Sequence, residues 1–224
     1  MSEFRRNLLK MGGRRMTLPE WFKEHIVCWY SPRRQGATNE SLAADPRLRD
    51  LSGNGRHMTL TGFAWTEASG IDADGALVFG SSRQGDIAPN LALTDFTVIV
   101  DRNSPTTSAV WSYIFIKKPS SFANGTATIC IPAPGASDDF YSFSATQTHH
   151  GYGQPLDGTE WMTATKYKGT GIAHGLYKGS LKDSADGVFA ICPKTTMRLR
   201  SFLLFDVSLT EEQIQWTIDN LINK

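Results

Sequence analysis

What most constrains this chain is its punctuation: short β-branched and aromatic runs are broken by Gly, Pro, Asn and Ser clusters about every 10 to 15 residues. The runs fall at residues 25–30, 58–60, 63–65, 75–79, 96–101, 110–116, 127–131, 140–144, 174–177, 188–192 and 197–205. Segments this short must pair into sheets, and their spacing points to a β-sandwich or barrel. The run at 96–101, Phe-Thr-Val-Ile-Val-Asp, is nearly continuous in apolar residues and reads as a central strand. The run at 110–116 alternates less cleanly but is strongly β in composition. The 12 Phe, 6 Trp and 6 Tyr supply rings for such a core, and the 20 Gly supply its turns.

Both ends depart from this pattern. Thr17, with Pro19 and Glu20 behind it, has the spacing of a capping box and predicts a short helix over 17–25. Residues 33–50 are polar and turn-rich without an apolar period, and read as a long surface loop. Leu51-Ser-Gly-Asn-Gly55 then supplies positive-φ positions for a tight turn. After Ser208 the period changes to that of a helix. Ser208 or Thr210 is its cap, Glu211 and Glu212 lie in its first turn, and Ile214, Ile218, Leu221 and Ile222 form one stripe. An amphipathic C-terminal helix packed on a sheet is expected.

A formal charge of +1 excludes a strongly basic nucleic-acid binder as the default. That charge is unevenly spread: Arg5, Arg6, Lys10, Arg14 and Arg15 face only Glu3 in the first fifteen residues, leaving a mildly acidic body. We expect a flexible basic leader over 1–16 and one domain over 17–224. The leader's apolar run is only Leu8-Leu9, so it does not read as a signal peptide, and no segment approaches the roughly 18 apolar residues of a membrane span. These features predict a protein kept in a cytoplasm or released by lysis. At this length about 70% of the unfolded chain's surface can be buried, so neither metal nor disulfide is needed for folding. Cys28, Cys130 and Cys192 are far apart in β-type surroundings and read as small buried thiols.

Candidate site residues follow from local chemistry. Rings in polar, glycine-rich loops suit sugars, because the apolar face of a sugar stacks on a ring while its hydroxyls take planar polar partners. The stretch 147–158 offers Gln147, His149, His150, Tyr152, Gln154 and Asp157, and Trp161 and Trp65 also border turn-rich sequence. His149 and His150 as strand neighbours would face opposite ways, so a solvated or stacking loop is the reading preferred over a base or ligand pair. Asp50-x-Ser52-x-Asn54-Gly55 copies the first half of a calcium loop, with Asp50 and Asn54 as ligands. Thr61 stands where a bidentate Glu would close it, and an Asx turn is the competing reading. Trp111, Tyr113 and Phe115, and separately Trp21, Trp29 and Trp216, read as core.

The segment from Asp50 to Gly62, then 75–79 and 95–98, resembles the opening strands of laminin-G-like, concanavalin A-like jelly-roll domains, and 202–214 resembles their closing strand and helix. The likeness covers about residues 26 to 222, with strand pattern alone over 102–187. It implies an all-β, two-sheet antiparallel jelly-roll sandwich with a short N-terminal helix and a C-terminal amphipathic helix. Some members are glucanases with paired carboxylates on one strand. Here Asp95 and Asp101 lie at the two ends of a strand and Glu160 stands apart, so catalysis is not expected. Other members bind calcium at the rim, which adds Asp72, Asp74 and Asp86 to the calcium candidates; no other cofactor is implied. The leader Met1-Ser-Glu-Phe-Arg-Arg-Asn-Leu-Leu-Lys10 is similar to short basic leaders of phage and prophage structural proteins of gut bacteria. The expectation is a non-enzymatic carbohydrate-recognition or adhesion module of a phage virion. Its partners would be a glycan, other virion proteins through the leader, and further copies of itself, without nucleic acid or membrane. The alternatives are a purely structural virion component and, less favoured, a glycan-processing enzyme.

Overall fold

The strands begin with β1 (Ile26–Tyr30), β2 (Arg47–Leu48), β3 (Met58–Thr61), β4 (Leu77–Phe79), β5 (Gln84–Ile87) and β6 (Phe96–Asn103). They continue with β7 (Tyr113–Lys118), β8 (Thr128–Cys130), β9 (Tyr141–Phe143), β10 (His149–His150), β11 (Glu160–Trp161), β12 (Thr170–Leu176), β13 (Val188–Cys192) and β14 (Met197–Phe205). Helices α1 (Glu20–His25), α2 (Asn39–Ala44) and α3 (Glu211–Thr217) are added, α3 running into a π-helical turn over Ile218–Ile222. This computed structural model describes residues 17–80, 82–87, 96–103, 113–118, 128–130, 141–143, 149–150, 160–161, 170–176, 188–192, 196–207 and 209–222. The leader over 1–16, Asp95, Trp111 and Ser208 lie outside the described residues.

Two antiparallel sheets form a sandwich. One has six strands, in the order β1-β14-β6-β12-β11 with β4 also on β14; the other has eight, in the order β10-β9-β8-β7-β13-β5-β3-β2. The long β14 organises the first sheet. It pairs with β6 over Arg198–Phe205, while its other edge takes β4 at Met197–Leu199 and β1 at Phe202–Phe205. The protein is therefore an all-β, two-sheet antiparallel sandwich with short helices, as the punctuation of the sequence implied.

Alternation along β6 and β14 explains why both read as continuous apolar runs. Val98, Val100, Phe202 and Leu204 enter the core between the sheets, with Cys28, Tyr30, Met58, Leu77, Phe79, Ile87 and Ile191. Ile99, Leu203 and Phe205 face the other way, into a second cluster with Phe22, Trp29, Leu209, Ile214, Ile218 and Leu221. A strand covered on both faces loses its polar alternation. Each such Leu, Ile or Phe contributes about 1.5–3 kcal/mol of burial, so α1 and α3 are structural members of the fold. The Thr97 hydroxyl fixes the approach to α3, donating to the Val207 carbonyl at 2.8 Å and accepting from Leu209 N at 3.0 Å.

Several local expectations change. Helix α1 starts at Glu20 behind Pro19, without a side-chain cap. The residue before a proline is held out of the helical region, so Leu18 cannot continue a helix from Thr17. The surface-loop reading of 33–50 also fails, since this stretch holds α2 with buried Leu42, and β2 with buried Leu48. Thr38 and Ser41 close a capping box at α2. Residues 63–65, read as a strand piece, form a loop. Between Tyr113 and Phe115 the β7–β8 ladder shifts register, which accounts for the imperfect alternation of that run. By contrast, Gly53 and Gly55 take φ 88° and 74° as the turn required, and Thr210 caps α3 in a capping box with Gln213.

Candidate functional site

A ladder of three rings leads from the core to the rim. Buried Phe79 on β4 meets Phe63 edge-on at 5.2 Å and 77°, and Phe63 stacks on half-buried Trp65 at 5.3 Å and 16°. Trp65 has φ 57°, and it is the one non-glycine residue with positive φ among the described residues. A bulky side chain in this region costs on the order of 1–2 kcal/mol, so its surroundings must hold it there.

Those surroundings are specific. Gly62 takes φ 82° against the Ser82 carbonyl, where a Cβ would collide with backbone. Thr66 and Ser69 exchange backbone hydrogen bonds at 3.2 and 2.9 Å, and Ala64 N donates to Ser69 Oγ at 2.9 Å. From α2, Asn39 donates Nδ2 to the Ile71 carbonyl and accepts from Ile71 N through Oδ1, at 3.0 and 2.7 Å. Arg83, following the β4–β5 turn, donates Nη1 to the carbonyls of Ala68 (2.8 Å) and Val78 (3.2 Å). Loop 62–71 is thus pinned from both sheets and from α2. It presents a flat aromatic surface backed by the core, a geometry able to stack on a planar apolar ligand face. Sequence reasoning found Trp65 but missed Phe63, Asn39 and Arg83. The Phe63-x-Trp65 spacing was a usable signal, whereas Asn39 and Arg83 are known only through tertiary placement.

Asp50 and Asn54 do different work. Asp50 Oδ1 accepts from Trp29 N (3.0 Å) and Ser52 N (2.9 Å), and Oδ2 accepts from Arg56 N (3.1 Å). Asn54 Nδ2 donates to the Ile26 and Val27 carbonyls at 2.6 and 3.1 Å, and Leu51 N donates to the Trp29 carbonyl at 2.7 Å. The segment from Asp50 to Asn54 is a strap along the edge of β1 that β14 leaves open, satisfying strand groups that would otherwise be an unpaired edge. The Asx turn weighed in the sequence is the Ser52–Asp50 bond. Among the described residues no three His, Cys, Asp or Glu side chains converge as a metal cluster. Asp72 caps its own turn, accepting from Asp74 N and Ala76 N at 3.0 and 2.9 Å, and lies 3.4 Å from Arg198 Nε. Asp86 on β5 accepts a hydrogen bond from Gln84.

The remaining candidates lie at the far edges. His149 and His150 form β10, paired with Phe143 and Ser142, so they belong to a strand rather than to the loop expected for them. The hairpin with β9 extends the ladder by two residues. Trp161 on β11 pairs with Gly175 at the edge of the other sheet. Gln147, Tyr152, Gln154 and Asp157 lie outside the described residues. Six strand spacings separate β10 from β3, roughly 29 Å along the sheet, so Trp65, which follows β3, and His149–His150 lie in two separate regions.

Asp101, Cys28 and Tyr30 are shifted by their surroundings. Burial pushes the Asp101 carboxyl above the ordinary carboxylate range, and the Arg200 guanidinium, whose Nε is 3.2 Å away, pulls against it. Burial likewise raises the Cys28 thiol and the Tyr30 phenol. Cys28 is a buried free thiol, as expected.

No protein-family model matches the sequence, and no curated protein matches it significantly. Solved structures share the fold. The chain is similar to the binding domain of botulinum neurotoxin serotype D/C, with 10% identity and a TM-score of 0.52 over 90% of this chain and 53% of that one. It is similar to the binding domain of botulinum neurotoxin DC in complex with SialylT, with 10% identity and a TM-score of 0.53 over 90% and 53%. A third is a receptor-binding domain, with 11% identity and a TM-score of 0.54 over 91% and 53%. This chain spans about half the length of those structures. At such identity the likeness is one of fold, and it supports an antiparallel β-sandwich.

Proposed function

We propose that the protein is a non-enzymatic carbohydrate-recognition module whose described binding surface is the Phe63–Trp65 stack. The observation that carries this reading is Trp65 itself: a half-buried ring, stacked on Phe63, held at φ 57° by a loop fastened at several points. Strain of this kind is maintained where a side chain's position matters. The structural neighbours, one bound to SialylT, support a binding role. Gln147, His149, His150, Tyr152, Gln154, Asp157 and Trp161 are proposed as further sugar contacts. On this reading the sandwich is a concanavalin A-like, laminin-G-like jelly roll. The basic leader over 1–16, which resembles those of phage structural proteins, attaches it to other proteins of a virion. The test is a glycan array with the full chain and with Trp65→Ala. Binding at micromolar concentration that falls at least about tenfold in the variant supports the reading. Absence of binding to any glycan refutes it.

A further inference from the structure

We infer that the Trp65 surface is selective for carboxylated glycans, with Arg83 as the residue that reads the carboxylate; this rests on the sugar-binding reading above. Arginine carries five N–H donors in a planar fork. Two of them, on Nη1, are committed to the Ala68 and Val78 carbonyls. The three on Nε and Nη2 meet no acceptor among the described residues. The guanidinium lies against Gly80, where a Cβ would come within 3.1 Å of Nη1, so the absence of a side chain there makes room for it. Arg83 N donates to the Gly80 carbonyl at 3.0 Å, closing the turn that holds the side chain in this position.

The fork is therefore oriented before any ligand arrives. One side is fastened to Ala68, three residues beyond Trp65 in the same turn, and the other retains the paired donors that match a carboxylate. A ring that stacks on the sugar and a cation fastened to the same loop from the β4–β5 turn make a two-point site, the ring recognising the apolar face and the guanidinium the acid. A neutral sugar would use the ring alone. No proton transfer or bond cleavage is implied.

The experiment uses the full chain on a glycan panel in which each carboxylated glycan is paired with its carboxyl-reduced counterpart. The wild type should bind the carboxylated member at least about tenfold more tightly, the worth of a charge-assisted hydrogen-bond pair. Arg83→Met should abolish the preference, so that the two members of each pair bind alike. Arg83→Lys, which keeps the charge but not the fork, should fall between. Unfolding curves identify any variant that has lost the loop rather than the contact, and if Arg83→Met melts early, the paired-glycan ratio of the wild type and Arg83→Lys decides. Equal binding of both members of every pair overturns the selectivity while leaving sugar recognition standing. Absence of binding to both overturns the sugar-binding reading and this inference together.

Discussion

Asp50 holds the backbone N–H of Trp29 at 3.0 Å, so a loop carboxylate takes the place of a neighbouring strand on β1. The same carboxylate accepts from Ser52 N and Arg56 N. Asp50→Ala removes the acceptor for all three donors and should cost about 3 kcal/mol in urea unfolding, while Asn54→Ala, which frees two carbonyls, should cost about 1 kcal/mol. Because three N–H dipoles already point at the Asp50 oxygens, a calcium ion would have to displace them. Adding calcium or a chelator should leave the melting temperature unchanged, and a calcium-dependent rise would contradict this account of the strap.

Leu203 and Leu204 are adjacent yet buried in different clusters. In a two-layer sandwich one of the pair would face water and tolerate truncation. Here each Leu→Ala change should cost about 2–5 kcal/mol. Thr210→Ala should cost about 1 kcal/mol through its cap on α3, since that helix covers Leu203. A Leu203→Ala cost below 1 kcal/mol in denaturant titrations would mean that the helical layer does not seal the sheet.

What the sequence made legible divides along physical lines. Strand β3 and helix α3 announced themselves by the period of their apolar residues, and β1, β4, β6 and β14 by largely unbroken β-branched and aromatic runs. Helix α2 is six residues long with Leu42 its one buried side chain, too short to display a period. In β5, Gln-Gly-Asp-Ile carries residues poor in strand propensity, and only its alternating burial marks it as a strand. The second cluster was foreshadowed by the unbroken run in β6, but that α1 joins α3 over the same sheet is a tertiary fact. The site was half legible: Trp65 stood out by its surroundings, whereas Arg83 reaches the loop from the β4–β5 turn, a separate stretch of the chain.

Asp101 gives the fold a pH signature. Its carboxyl is raised above the ordinary value by burial, so the folded chain holds a proton that the unfolded chain has released. Stability should therefore decline as pH rises from the ordinary carboxylate value through the raised folded value, and level off above it. Asp101→Asn should abolish this slope while keeping an acceptor oxygen for Arg200 Nε and losing the ion pair. Unfolding free energies of both proteins across acidic pH check the sign, and an opposite slope removed by the variant would show that the Arg200 ion pair outweighs burial.

Trp65 separates stability from binding. Trp65→Gly relieves the left-handed backbone strain, on the order of 1–2 kcal/mol, and loses the ring stack with Phe63, about 0.5–1.5 kcal/mol. The burial of the half-buried ring is lost in Trp65→Ala as well, but only glycine relieves the strain, so Trp65→Gly should be the more stable of the two variants by about 1 kcal/mol while glycan binding falls alike in both. Glycan binding unchanged in both would assign the ring to packing and withdraw it from recognition.

The two candidate regions make a final prediction about independence. Trp65 follows β3, whereas the 149–161 stretch begins at β10, six strand spacings away in the sheet. Residues at that separation share no partners, and their contributions add within about 0.3–0.5 kcal/mol. For a short oligosaccharide that can reach only one region, His150→Ala and Trp65→Ala should therefore act on different ligands, or one of them should have no effect. For a polysaccharide long enough to span the sheet, both should weaken binding, and the double variant should show the sum of the two losses. Calorimetry with a short and a long form of the same glycan measures this cycle. Strong coupling with the short form would require one short sugar to reach from β3 to β10, which six strand spacings do not allow.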